Sequence, residues 1–196
     1  MQTQHRPVIM PEDEVQFRLA QLLLLLDAIT DHDVHGASLE RIGYYDFLSA
    51  NPFLVVPPND SDAGRLRLAG FDPQVLAYAS SSQRFTSRRE RIQHDLSLLV
   101  AYGCCEVRNH EKALSYAITN SGRTLSTHFT ATYATAFSTA AGIVVRRLRR
   151  LSDKALREQT TQWLRPAGHD GPAAALLGIL GAGPDPSFDL HTPWEE

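Results

Sequence analysis

The stretch from Thr86 to about Leu151 constrains the fold most, because it reads as an amphipathic helix, a short β-hairpin and one long helix in direct succession. Ser87-Arg88-Arg89-Glu90 has the capping-box pattern, a hydroxyl followed three residues later by a carboxylate that closes a helix start reciprocally. Ile92, Leu96, Leu99 and Val100 then fall on one helical face, and Gly103 supplies a left-handed stop. Cys104 to Arg108 and Ala113 to Thr119 alternate as strands around the polar turn Asn109-His110-Glu111-Lys112. In the second strand Leu114, Tyr116 and Ile118 share one face, and Ser115, Ala117 and Thr119 the other. A helix feeding straight into a two-stranded ribbon is the centre of a winged helix-turn-helix unit. Such units read nucleic acid or dock other proteins, and the remaining sequence has to decide between those uses.

The residues before this stretch complete the unit. A first helix is expected over 12–30, with Glu12, Asp13 and Glu14 at its positive end and Val15, Leu19, Leu22, Leu23 and Leu26 as its apolar stripe. Ser38 caps a second helix that runs through Leu48, buries Leu39, Ile42, Tyr45 or Phe47, and stops before Asn51-Pro52. Between the second and third helices lies an insertion at about 52–84: a loop at Pro57-Pro58-Asn59-Asp60-Ser61-Asp62, a short helix from Asp72-Pro73 to about Ala79, and a loop over Ser80 to Gln83. The expected fold is mostly α, in the α+β class: a winged helix-turn-helix domain over 1–120 and a helical extension over 121–165, in which Ser152 restarts a helix carrying Leu156, Trp163 and Leu164. A glycine- and proline-rich tail over 166–196, flexible or ordered by a partner, completes the chain.

A groove-reading helix needs a basic or amide-rich outer face. With Ile92 toward the core, the outward residues of the third helix are Ser87, Glu90, Arg91, His94, Ser97 and Ala101, which is close to neutral. Arg84, Arg88, Arg89 and Arg91, with Lys112 at the wing tip, are the candidate phosphate contacts, and the formal net charge of -3 offers no global attraction to nucleic acid. The long helix favours docking instead. From Thr124 to Val145 there is no Asp, Glu, Lys or Arg. One stripe reads as core (Leu125, Phe129, Tyr133, Ala136, Phe137, Ala140, Ile143, Val144), and the opposite face is Thr127, Ala131, Ala134, Thr135, Ser138 and Ala141. A helix buried on one side ordinarily carries charges on the other, so this one is expected to be covered twice, once by its own domain and once by a partner. Its hydroxyl groups and His128 make it a poor membrane span, and the block Arg146-Arg147-Leu148-Arg149-Arg150 complements the negative end of the helix.

The chemistry-bearing motifs are weak. His32-Asp33-Val34-His35 has loop spacing that suits a metal but no distant ligand. The glycines at 178, 181 and 183 invert the dinucleotide-binding spacing and follow no strand. Cys104 and Cys105 are adjacent, read as strand-packing residues, and fit a reducing cytoplasm. Asp46 sits among aromatics, where Arg41 or a backbone group would satisfy it. The expectation is a cytoplasmic chain without signal peptide, catalytic centre, metal or cofactor.

Two groups of residues carry a family resemblance. The first is the leucine-rich opening Leu22-Leu23-Leu24-Leu25-Leu26-Asp27-Ala28-Ile29, followed by Ser38-Leu39-Glu40-Arg41-Ile42-Gly43-Tyr44-Tyr45-Asp46-Phe47-Leu48 and Asn51-Pro52. The second is Arg91-Ile92-Gln93-His94-Asp95-Leu96 through Tyr116-Ala117-Ile118-Thr119-Asn120-Ser121-Gly122. Over about Val15 to Leu164 the chain resembles the middle components of ABC-three-component bacterial defence systems, the Lamassu-like group; the tail after Pro166 matches no family feature. The resemblance implies a non-catalytic winged-helix adaptor, similar in fold to the small subunits that accompany bacterial SMC complexes. Its partners would be an SMC-like ABC ATPase and an effector, often a nuclease, that acts when phage DNA is sensed, with DNA touched through the complex. The alternative is a stand-alone winged-helix transcription regulator, and a homodimer stays open under either reading.

Overall fold

A run of five leucines needs cover on every side. In the computed structural model, which describes residues 14–73, 81–110 and 113–164 (the side chains of 81–84, 87 and 110 aside), that cover is supplied by the rest of the chain. Helix α1 (Val15–Thr30) buries Leu22 through Leu26 completely or nearly so, while Val15, at the start of the expected stripe, is exposed. It packs on α2 (Leu39–Ala50), α4 (Ser81–Ala101), α5 (Asn120–Ser126), α6 (Thr132–Leu148) and the second hairpin strand. Each leucine so buried contributes about 2 kcal/mol relative to an exposed one. Ser38 caps α2 as expected, its Oγ accepting from Arg41 N at 3.2 Å. All described residues fall in one compact unit that ends at Leu164, and both the expected domain and the expected extension contribute to its core.

Helix α4 begins at Ser81, so Ser87 lies inside it and is not its cap, and Ser81 to Gln83 are helical where a loop was expected. Its end follows the sequence: Gly103 has φ +69° and Cys104 N donates to Leu99 O at 2.9 Å. Strands β1 (Cys105–His110) and β2 (Ala113–Ile118) pair antiparallel without a bulge, and Ala37, between α1 and α2, bridges Tyr116 on the other edge of β2. Asn109 and His110 thus extend β1 rather than forming the turn. Only the base of the apolar face is buried: Cys105 and Ile118 enter the core, whereas Val107 and Leu114, further out on the same face, are exposed.

The segment Thr119-Asn120-Ser121-Gly122 closes the hairpin onto the end of α4. Thr119 Oγ1 accepts from Gly122 N at 3.0 Å, capping α5, and donates to Gly103 O at 2.6 Å. A Cβ on Gly122 would lie 2.1 Å from the backbone oxygen of Cys104, so the junction admits only glycine there. Helix α5 is tied to α1 by Ser126 Oγ and Arg123, both on Asp27.

One expected long helix is two. Helix α5 stops at Ser126 and α6 starts at Thr132, because hydroxyls in the threonine-rich run bind the carbonyls a continuing helix would use. Ser126 Oγ donates to Arg123 O at 2.8 Å and Thr127 Oγ1 to Thr124 O at 2.7 Å. Leu125 and Tyr133, expected in the core, are exposed.

Helix α6 is covered on two sides, as its lack of charge implies, but both covers come from this chain. Phe137, Ala141, Val144 and Val145 join the main core with α1 and α2. Ala140 and Ile143 form a second cluster with Val56, Ala63 and Leu66, residues of the insertion. The insertion is built for this. Asp60 caps α3 (Ser61–Leu68), a helix that begins within the expected loop, and Pro52–Leu54 form a single 3-10 turn. The short helix expected over 72–79 lies almost wholly outside the described residues, as do the tail and its glycines.

Two arginines of the expected helix-end block clamp α3 to α6. Arg146 Nη2 donates to both oxygens of Asp62 at 2.9 and 2.8 Å, and Arg147 donates to Asp62 Oδ2 through Nε at 2.9 Å and also binds Asp60. Burial would raise the Asp62 carboxyl, but the hydrogen bonds from Arg147 and Arg146 outweigh it and hold it below its usual range; Arg147 does the same to Asp60. Both groups therefore bind protons more weakly folded than unfolded, so their contribution is fully present above the usual aspartate value of 3.8 and is lost as pH falls below it. Stability measured from neutral pH down through that value should fall more steeply for the natural chain than for Asp62→Asn, with hydrogen exchange accelerating first in α3.

The last described helix, α7 (Asp153–Leu164), starts where expected, with Ala155 N donating to Ser152 Oγ at 3.2 Å. Arg41 holds it in place. Its guanidinium binds Tyr45 Oη at 2.8 Å, Asp153, and Leu151 O at 2.6 Å, so one side chain joins α2, the end of α6 and the start of α7.

Candidate partner and nucleic-acid surfaces

A cation serves a nucleic-acid surface only if its own chain leaves it free to bind phosphate, so the partners of each arginine decide the matter. Arg88 is committed inward. It makes a bidentate pair with Asp46, Nε to Oδ2 at 2.8 Å and Nη2 to Oδ1 at 3.1 Å, and Gln21 Nε2 donates to the same carboxylate at 2.9 Å. The partners of Asp46 are thus Arg88 and Gln21, not Arg41, and the expected phosphate contact at Arg88 is corrected to a core pair. Arg18 repeats the arrangement with Asp95, buried under the middle of α4, at 2.7 and 3.0 Å. On the hairpin, Arg108 binds Glu106 and the backbone oxygen of Val34. Arg89 and Arg91 are exposed on α4, with Arg89 paired to Glu40 at 3.8 Å and Arg91 also engaged within the chain; the side chain of Arg84 and all of Lys112 lie outside the described residues.

The outward face of α4 is as its periodicity indicates: Glu90, Arg91, His94, Ser97 and Ala101 are exposed. It presents one carboxylate and one guanidinium, without a run of like charge. Val100, expected toward the core, is also exposed.

The six candidate docking residues divide. Ala134 and Ala141 are buried in the chain's own core, because the two-sided cover of α6 takes both flanks of the expected outer stripe. Thr127 and Ala131 lie in the connection between α5 and α6. Thr135 and Ser138 remain on the surface of α6, where Thr132, Thr139 and Gly142 extend them into a narrow uncharged strip. Thr132 and Thr135 are exposed while Ser138, Thr139 and Gly142 are half-buried, so this chain covers the strip only in part.

Cys104 and Cys105 are buried and unpaired with each other, and burial pushes the Cys105 thiol up to about 12, far from a nucleophile at neutral pH. His32 and His35 occupy an exposed loop in which His35 N donates to Asp33 Oδ1 at 2.9 Å. They border an open cleft of ≈ 280 Å³ together with Arg41, Tyr45 and Arg149. Among the described residues no group of three His, Cys, Asp or Glu side chains is placed to hold a metal ion, and no helix is long and apolar enough to cross a membrane.

The family model for the ABC-three component (ABC-3C) system Middle Component 2 matches residues 14–169. The chain belongs to this family. The match takes in every described element from α1 to α7, including the insertion that packs on α6. No curated protein and no solved structure matches the chain. The family is one component of a multi-part system, and the described residues of this chain are mostly helical with one antiparallel hairpin.

Sequence reasoning missed the α3–α6 clamp and the Arg41 junction. A signal for the first was present in Asp60-Ser61-Asp62, which has a helix cap and first-turn acid, facing an arginine pair of opposite charge. For the second there was none, since a guanidinium that caps the end of a distant helix leaves no local pattern.

Proposed function

We propose that this middle component is a non-catalytic adaptor of an antiphage defence complex of the Lamassu-like group, linking an SMC-like ABC ATPase to an effector such as a nuclease, in the cytoplasm. The observation that carries the reading is the fate of the arginines. Arg88 and Arg18 are bound by buried carboxylates of this chain, at Asp46 and Asp95, so they cement the fold rather than offer a phosphate track. The helix order, the hairpin after α4 and the third pairing through Ala37 support a winged-helix module similar to small SMC-associated subunits. The outer strip of α6, with Thr135 and Ser138, is the uncharged surface offered to a subunit, and DNA is touched through the assembled complex.

Co-expression with the products of adjacent genes, followed by size-exclusion chromatography, should give tight co-elution with a large ATPase. A chain that elutes apart from them, and shifts one particular duplex without partners, overturns this reading in favour of a stand-alone transcription regulator.

A further inference from the structure

Cations outnumber carboxylates where α3 meets the end of α6. Three guanidiniums converge on Asp62: Arg146 and Arg147 through the bonds given above, and Arg65 at 3.8 Å from Oδ1, an oxygen that Arg146 already holds at 2.9 Å. Asp60 takes Arg147 a second time. Arg149 and Arg150 follow directly, both exposed, and neither forms an ion pair among the described residues. Five guanidiniums thus stand against two carboxylates, which leaves three positive charges over in a chain whose formal net charge is -3. Neighbouring charges do not remove that excess. Asp153 is taken by Arg41, Lys154 and Glu158 cancel, and so do Arg67 and Asp72 toward the far end of α3.

The excess lies outward. Arg65 and Arg146 have side chains 59% and 45% exposed, whereas that of Asp62 is 9% exposed and both its oxygens are filled. The cap residue Arg149 keeps helical backbone angles, φ -56° and ψ -27°. Arg150 therefore stands one turn beyond Arg146 on the same face, about 6 Å away. Arg65, Arg146 and Arg150 make a row across the α3–α6 seam. Asn59, Ser61 and Gly64, exposed beside it, offer hydrogen bonds and no apolar seat. Leu68, the exposed apolar side chain of α3, stands at the far end of that helix.

We infer that this row binds the phosphate backbone of double-stranded DNA without regard to sequence. Guanidinium forks match phosphate oxygens in pairs, and several set along a line neutralise successive phosphates. An acidic polypeptide would bring apolar side chains that find nothing to cover here. The contact lies on α3 and α6, not on α4, so it positions the duplex and reads no base edges. So short a row gives weak binding by the chain alone, and a complex that holds the chain at DNA strengthens it. The inference rests on the adaptor reading, in which DNA is touched through the complex, and supplies the place of contact.

The test is fluorescence anisotropy on the full chain with two labelled duplexes of unrelated sequence, between about 50 and 200 mM salt. Both duplexes should bind alike. Arg65→Ala and Arg150→Ala should each weaken binding about threefold and lower the salt slope by about one, while Arg65→Lys, which keeps the charge, stays near the natural chain. Arg89→Ala and Arg91→Ala, on α4, should leave binding unchanged. Arg65 and Arg150 are exposed enough for their variants to fold, and a thermal melt checks each. No binding at the lowest salt, or indifference to Arg65→Ala and Arg150→Ala, overturns the inference. So does loss of binding in Arg89→Ala or Arg91→Ala instead, or a glutamate polymer that displaces the duplex as well as unlabelled DNA does, which would mark an acidic-protein contact. Duplex binding indifferent to the α3–α6 substitutions, in a chain that still co-elutes with the ATPase, sinks the row and leaves the adaptor standing. Binding that depends on Arg65 and Arg150, in a chain that ignores its neighbours in co-elution, does the reverse.

Discussion

Arg88→Ala should unfold the protein well before it affects any surface. The guanidinium neutralises Asp46, whose side chain is 6% exposed, and without it Gln21 alone faces a buried carboxylate. Removing one partner of such a pair costs about 3 kcal/mol, which lowers the melting temperature of a chain this size by roughly 6 to 12 °C. Arg88→Lys should recover little, because an ammonium cannot make the two parallel contacts of the guanidinium fork. Arg89→Ala, one residue along and half-exposed, should melt within about 0.5 kcal/mol of the natural chain. Differential scanning calorimetry on the three variants separates the roles. If Arg88→Ala melts like the natural protein while DNA retention by the assembled complex drops, then Arg88 is a phosphate contact after all and the core-pair assignment fails.

Gly122→Ala is the second large effect. An added methyl would lie 2.1 Å from Cys104 O and 2.9 Å from Ile118 Cγ1. The first neighbour is backbone, fixed in turn by Thr119 N, which donates to that same oxygen at 3.1 Å, so it cannot rotate away. Overpacking against rigid backbone costs about 3 kcal/mol, at the upper end of the usual range. Loss should begin locally: hydrogen exchange in β1, β2 and α5 should quicken more than in α2 or α6. A neutral Gly122→Ala, with protection unchanged at the hairpin, would mean that the α4–β1 junction shifts freely and that the contact is not a constraint.

Local patterns proved legible, and long-range ones did not. Ser38, Gly103 and Ser152 act within three or four residues of themselves, and each sits at the helix end its chemistry indicates. The neutral outer face of α4 also follows from periodicity alone. Failures came where a distant partner chose the outcome. The uncharged run from Thr124 to Val145 signals two-sided burial correctly, yet nothing in it says that the second cover is Val56, Ala63 and Leu66 of the same chain rather than another subunit. Arg88 and Arg89 are neighbours of identical type, and only the position of Asp46 on α2 sends one inward and leaves the other at a groove. The helix break at Thr127 was written in the hydroxyl-rich run but was outweighed by an apolar rhythm that continued across it.

Because Ala140 and Ile143 meet Val56, Ala63 and Leu66, the two segments are not free to diverge independently. A bulkier residue at 140 demands a smaller one at 63 or 66, and deleting the segment from Pro52 to Phe71 would strip one flank of the central rod bare. Among descendants of a common ancestor, these positions should therefore change in step, and the insertion should be inherited with the helix it covers rather than gained and lost like a surface ornament.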